Sequence, residues 1–140
     1  MANTTPIVVG TPQIDFGDTA LTAANTAVDG TGTVITAFTA DSTNGSFIQY
    51  LKFKPAASAA ATTLTCARIF INNGSDPTTA ANNIFFDSIT LPSTTEAINA
   101  GQPPVIIPMN LALPASYRIT VVIATASANG WYVCGVGGKF

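Results

Sequence analysis

The sequence predicts an all-β chain: an antiparallel β-sandwich, jelly-roll-like, with an extended N-terminal arm. Three observations predict it. Apolar and polar residues alternate at period two in seven or eight short runs, the repeat of a half-buried strand. The runs recur at about ten-residue spacing, parted by Gly, Pro, Asn and Asp, as in sandwiches and jelly rolls. No segment sustains a helical repeat. The Ala-rich "PAASAAATTL" over 55–64 is led by Pro55 and diluted by Ser and Thr, so it reads as a loop.

The chain divides into a loop-rich lead-in over 1–32 and a sandwich domain over 33–140. The lead-in is polar and rich in Thr, Ala and Gly, with one short strand expected near 14–16. From 33 the alternation begins with "TVITAFTA" (33–40). In "SFIQYLKFKP" (46–55) it sets Phe47, Leu51 and Phe53 on one face and Ile48, Tyr50, Lys52 and Lys54 on the other. "TLTCARIFIN" (63–72) sets Leu64, Cys66 and Phe70 against Ala67, Ile69 and Ile71, and "NIFFDSITLP" (83–92) follows. "PVIIPMNLALP" (104–114) aligns Val105, Ile107, Met109, Leu111 and Leu113, and Pro108 on its opposite face predicts an edge strand. "SYRITVVIATA" (116–126) aligns Tyr117, Ile119, Val121 and Ile123. In "GWYVCGVGG" (130–138), alternation sends Trp131 and Tyr132 to opposite sides, one to the core and one to the surface or an interface. Asn-Gly recurs at 44–45, 73–74 and 129–130, and predicts type I′ hairpin turns, which need positive φ at both positions.

Only 9% of the residues are charged, the formal net charge is −2 and the mean hydropathy is +0.39. Soluble monomers ordinarily carry more surface charge. A nearly neutral surface suits contact with other subunits, because charge is depleted at interface cores. Five basic residues are too few for a phosphate-binding stripe, so direct nucleic-acid binding is not expected. No basic, apolar leader opens the chain and no 18-residue apolar stretch occurs, so neither export nor a membrane span is expected. Cys66 and Cys134 are expected as buried, reduced thiols.

Candidate chemistry is thin. "ARIFINNGSD" (67–76) ends a strand in Asn72, Asn73, Ser75 and Asp76, all oxygen ligands, yet offers one carboxylate, and Pro77 follows. A calcium loop needs more acids and a bidentate Glu. Its Asn-x-Ser/Thr pattern, like those at Asn3 and Asn44, reads as chance in an Asn/Thr-rich chain. Asp15 and Asp18 lack the aromatic cleft of a glycosidase, and Asp87 and Glu96 read as rim or interface charges. Without His there is no histidine base for a nucleophile and no zinc set, and "GVGG" is followed by no helix that could cradle phosphate. Those glycines mark close backbone approach or a bulge. The chain is therefore expected to be no enzyme, with no catalytic residue, cofactor or metal.

The series "GTGTVITAFTADSTNGSFIQYLKFKP", "ARIFINNGS", "ITLPSTTEA", "IPMNLALPASYRITV" and "ANGWYVCGVGGKF" resembles a family of small virion structural proteins of tailed bacteriophages. The type is the capsid decoration (cement) or auxiliary head protein, and the likeness covers about 33–140. It implies a sandwich folded in the host cytoplasm that docks on the capsid exterior. The implied partners are the major capsid protein and the chain itself as a homo-oligomer, a trimer by the usual closure of symmetric rings. Expected contacts to shell or neighbour are Ile7, Val8, Val9, Ile14 and Phe16, apolar residues with no charge run beside them. The alternative is a receptor- or glycan-binding module of a tail fibre or another tail subunit.

Overall fold

Among the described residues, eight strands form two four-stranded antiparallel sheets packed face to face, an all-β sandwich. The computed structural model describes residues 10–17, 19–57 and 60–140. The strands are β1 (Thr11–Phe16), β2 (Ile35–Thr39), β3 (Ser46–Pro55), β4 (Thr65–Asn72), β5 (Asn83–Leu91), β6 (Val105–Leu113), β7 (Arg118–Ile123) and β8 (Trp131–Lys139). The first sheet runs β1-β8-β3-β6 and the second β2-β7-β4-β5. Only β4 and β5 are consecutive and paired; every other connection crosses between sheets. One 3₁₀ turn (Ala80–Asn82) leads into β5.

The core is built from alternate residues of both sheets. Phe38, Leu51, Phe53, Ala67, Ile69, Ile119, Val121, Ile123, Trp131 and Val133 are all fully buried in it. Each large side chain so buried is worth about 1.5–3 kcal/mol relative to exposure. β6 lies at a sheet edge, where Pro108 leaves no ladder bond unmade. Trp131 enters the core while Tyr132 faces out.

Three expectations are corrected. Strict alternation set Ile48 apart from Leu51 and Phe53. Instead the β3 register shifts between Ile48 and Tyr50, so all three are buried together and Phe47 is only half-buried. One extra residue in a bulge reverses the facing of everything beyond it. The Asn-Gly pairs are not type I′ turns, because the glycines have positive φ (Gly45 79°, Gly74 87°, Gly130 54°) but their asparagines do not. Two of the three pairs turn the chain from one sheet to the other, and the third belongs to the ten-residue connection between β4 and β5. The two cysteines are unbonded but half-exposed rather than buried.

Residues 19–34 form a strap that starts in the core at Leu21 and crosses onto the outer face of the second sheet, where Gly30 meets Phe70. Leu21 bridges Trp131, and Ala24 bridges Ile123. Asn25 ties the strap's own loop: Nδ2 donates to the carbonyls of Thr31 (2.7 Å) and Thr33 (2.9 Å), and Oδ1 accepts from Ala27 N (2.9 Å). Gly30 sits on the ring of Phe70, where a Cβ would come within 2.9 Å. The strap explains why Phe70 and Val122, outward residues of β4 and β7, are buried.

Candidate docking surface

Among the described residues, no segment covers the outer face of the first sheet. Register sets its outward side chains side by side: Phe16, Cys134, Lys52 and Ile106 form one row across β1, β8, β3 and β6. The next row is Ile14, Val136, Tyr50 and Pro108. Strands about 4.8 Å apart make each row about 15 Å wide. Ile14 is 64% exposed, Phe16 70%, Ile106 52% and Tyr132 50%. Isolated exposed apolar residues are ordinary, whereas a contiguous patch of them marks a contact site. Phe16, Tyr132, Cys134 and the stems of Lys52 and Lys54 frame a shallow hollow of about 260 Å³.

The backbone of this face is held rigidly. Gly135 and Gly137 of β8 face inward, where added Cβ atoms would meet Phe38 at 2.8 Å and the Phe47 carbonyl oxygen at 1.9 Å. These glycines serve close packing, as the sequence suggested. Asp15 and Gln13 on the inner side of β1 clasp the edge of the second sheet. Asp15 Oδ2 accepts from Thr39 N (2.8 Å) and from Gln13 Nε2 (2.8 Å), while Gln13 Nε2 also donates to the Thr39 carbonyl (2.7 Å). Ser46 Oγ donates to Gln13 Oε1 at 2.9 Å. Beside the clasp, a cleft of about 680 Å³ opens between β1 and β2, lined by Ile14, Phe16, Ile35 and Phe38 among others.

Among the described residues, charge on this face is sparse and positive. Lys54 Nζ meets Glu96 Oε2 at 2.8 Å and also donates to the Gln102 carbonyl. The Lys54 hydrogen bond, with the Gln102 N–H, holds the Glu96 carboxyl below its usual range. Lys52 has no ion-pair partner among the described residues.

Of the predicted contact residues, Ile14 and Phe16 lie in β1, hydrogen-bonded to β8 and facing out. Ile7, Val8 and Val9 lie outside the described residues, as does Asp18. Lys52, Ile106 and Tyr50 share the face but were not singled out, because strand adjacency is invisible in one sequence. Alternation alone had placed Tyr50 and Lys52 on a common side.

The polar corner after β4 spends its oxygens on itself. Asn72 Oδ1 accepts from Gly74 N (3.0 Å), Asn73 Oδ1 from Ser75 N (3.1 Å), and Asp76 from Thr78 N (2.9 Å) and Thr78 Oγ1 (2.8 Å). Those Thr78 bonds lower the Asp76 pKa. Among the described residues no three His, Cys, Asp or Glu side chains gather as a metal set, and no helix is long and apolar enough to cross a membrane. Comparison of the chain with protein-family models, curated proteins and solved structures finds no match.

Proposed function

We propose that this chain is a bacteriophage virion structural protein of the capsid decoration (cement) type, one that binds the major capsid shell from outside and stabilises it. The broad, nearly uncharged outer face of the first sheet supports this reading. Among the described residues, Ile14, Phe16, Ile106 and Tyr132 share that face with one cation that has no ion-pair partner, Lys52, a composition suited to protein contact rather than to turnover. The nested pairs β1–β8, β2–β7, β3–β6 and β4–β5, split alternately between two sheets, support a jelly roll, an architecture that viral capsid domains use. Fold alone assigns no function, so the resemblance in sequence supplies the phage context.

The mechanism is area burial. A stable contact needs roughly 1,200–2,000 Å² in total, more than one exposed strand supplies, so both shell and neighbouring copies share the work. A homotrimer on a three-fold junction is the closed arrangement this reading adopts. A tail-borne glycan binder is less well supported, because Trp131, the best stacking ring, is sealed in the core.

A density map of the intact particle tests the proposal. Density for this sandwich on the head exterior is the expected result; density only at a fibre tip would refute it. The variant Ile14→Ser/Phe16→Ser keeps the β1 backbone and is expected to lower particle occupancy about tenfold. Undiminished occupancy would remove β1 from the contact.

A further inference from the structure

The Asn-Gly pairs at 44–45, 73–74 and 129–130 share a chemistry beyond their turns. An asparagine amide carbon lies within reach of the next residue's backbone nitrogen. A following glycine puts no Cβ in the way of that attack. The bond from the glycine nitrogen to Cγ forms, the Cγ–Nδ2 bond breaks, and the glycine N–H proton leaves with Nδ2 as ammonia. Water then opens the cyclic imide at either carbonyl. One opening leaves aspartate. The other leaves isoaspartate, with the main chain running through the side-chain carbon. The net exchange is a water in and an ammonia out, with nothing oxidised or reduced.

Sequence makes the three pairs equal, and the fold separates them. Their glycine N–H groups are alike, for each donates: Gly45 to the Asp41 carbonyl (3.2 Å), Gly74 to Asn72 Oδ1 (3.0 Å) and Gly130 to the Ser127 carbonyl (3.1 Å). The amides differ. Asn129 Nδ2 donates to the carbonyls of Ala60 (2.6 Å) and Ala56 (3.1 Å). Asn73 Oδ1 accepts from Ser75 N (3.1 Å), and its Nδ2 donates to Asn82 Oδ1 (3.2 Å). Asn44 is exposed, and its side-chain amide makes no hydrogen bond among the described residues. Only its backbone N–H is engaged, with Asp41 Oδ1 at 3.0 Å. A fixed amide must give up its bonds before its carbon can turn to the glycine, whereas a free one turns at no such cost.

We propose that Asn44 is a site of spontaneous deamidation, while the same Asn-Gly chemistry is held back at Asn73 and Asn129 by their side-chain hydrogen bonds.

The corner it alters is crowded. Asp41 Oδ1 accepts from Thr43 N as well as Asn44 N, the Asp41 carbonyl also accepts from Ser116 N, and Asp41 Oδ2 lies 3.6 Å from Lys139 Nζ. Gly45 has φ 79°, and a Cβ on it would stand 2.4 Å from the Leu113 carbonyl oxygen. Aspartate at position 44 changes only a charge. Isoaspartate adds a main-chain carbon just before Gly45 and pushes it against Leu113, so that product is the one expected to loosen the corner.

The test is peptide mapping by mass spectrometry of the full chain held in mildly alkaline buffer, with circular dichroism to confirm that it stays folded. The Asn44 peptide is expected to exchange amide for acid about tenfold faster than those of Asn73 and Asn129. In the urea-unfolded chain the three rates are expected to converge, since only the shared Asn-Gly sequence remains. Asn44→Gln is expected to remove the fast site and leave the other two unchanged. Equal rates in the folded chain, faster conversion at Asn73 or Asn129, or no conversion at Asn44 while the unfolded chain converts would each overturn the proposal. So would a difference that persists in urea, which would belong to the sequence and not to the fold.

Discussion

Lys54 and Glu96 join the first sheet to the long connection between β5 and β6, Nζ to Oε2 at 2.8 Å. Glu96 Oε2 also accepts from Gln102 N at 2.9 Å, so one carboxylate closes its own loop and pins it to β3. A carboxyl whose pKa is lowered on folding adds stability above its unfolded value. That stability is lost as pH falls through the lowered folded value. The loop is therefore expected to stay anchored at pH 7 and to loosen as pH falls below 4.5, the ordinary value for this group. Hydrogen exchange over 93–104 against pH checks this, and Glu96→Gln is expected to give the loosened pattern at every pH. Loss of protection already near pH 6 would contradict the assignment to Glu96.

Gly137 and Gly101 make a matched pair. A Cβ at Gly137 would lie 1.9 Å from the Phe47 carbonyl oxygen, and backbone cannot swing away. Gly137→Ala is expected to cost about 3 kcal/mol or more. The nearest atom to a Cβ at Gly101 is Glu96 Oε1 at 3.6 Å, so Gly101→Ala is expected to stay within about 0.5 kcal/mol. Urea midpoints of the two variants give the comparison, with Trp131 fluorescence as the probe.

Asn25 is the knot of the strap. Asn25→Ala removes three hydrogen bonds at a buried position and is expected to cost about 2 kcal/mol. The loss should be local as well as global. Limited proteolysis is expected to open cuts within 19–34 before the sheets unfold, and cleavage there unchanged from wild type would show that the strap is held by something else.

Cys66 and Cys134 face outward on opposite sheets, separated by a sandwich whose sheets are about 10 Å apart. A disulfide needs Cα atoms within about 7 Å, so oxidation cannot join them within one chain. Mild oxidant is expected to yield disulfide-linked dimers on a non-reducing gel. Mass spectrometry of the monomer band should find no 66–134 bridge.

Much of this fold was legible because period-two alternation is a local property. The run 46–55 is β3 residue for residue, and Pro108 marked an edge. What escaped the sequence is relational. Nothing around Gln49 announces a bulge, yet that one residue moved Ile48 into the core. Phe70 sits on the strand face away from the core and is buried because Gly30, forty positions earlier, is laid on it and Phe85 packs edge-on against it. Asn44-Gly45 has the chemistry of a tight hairpin but serves as a corner between sheets, since turn residues specify φ and not which strands they join. The outer face of the first sheet shows the same division. Ile14 and Phe16 could be picked out as apolar, but their meeting with Lys52 and Ile106 depends on β1, β8, β3 and β6 lying side by side.

The nested pairing also dictates an order of events. β4 and β5 are joined by the short 73–82 connection, while β1 and β8 are drawn from the two ends of the chain. Closing a long loop at once costs more entropy than extending a pair already made. Assembly is therefore expected to start at the β4–β5 hairpin and zip outward through β3–β6 and β2–β7, with β1 laid against β8 last. The strand carrying Ile14 and Phe16 would then be the last to find its place, so their side of the first sheet's outer face is completed only once the rest of the sandwich has formed. Pulse-labelled hydrogen exchange, strand by strand, would register that sequence.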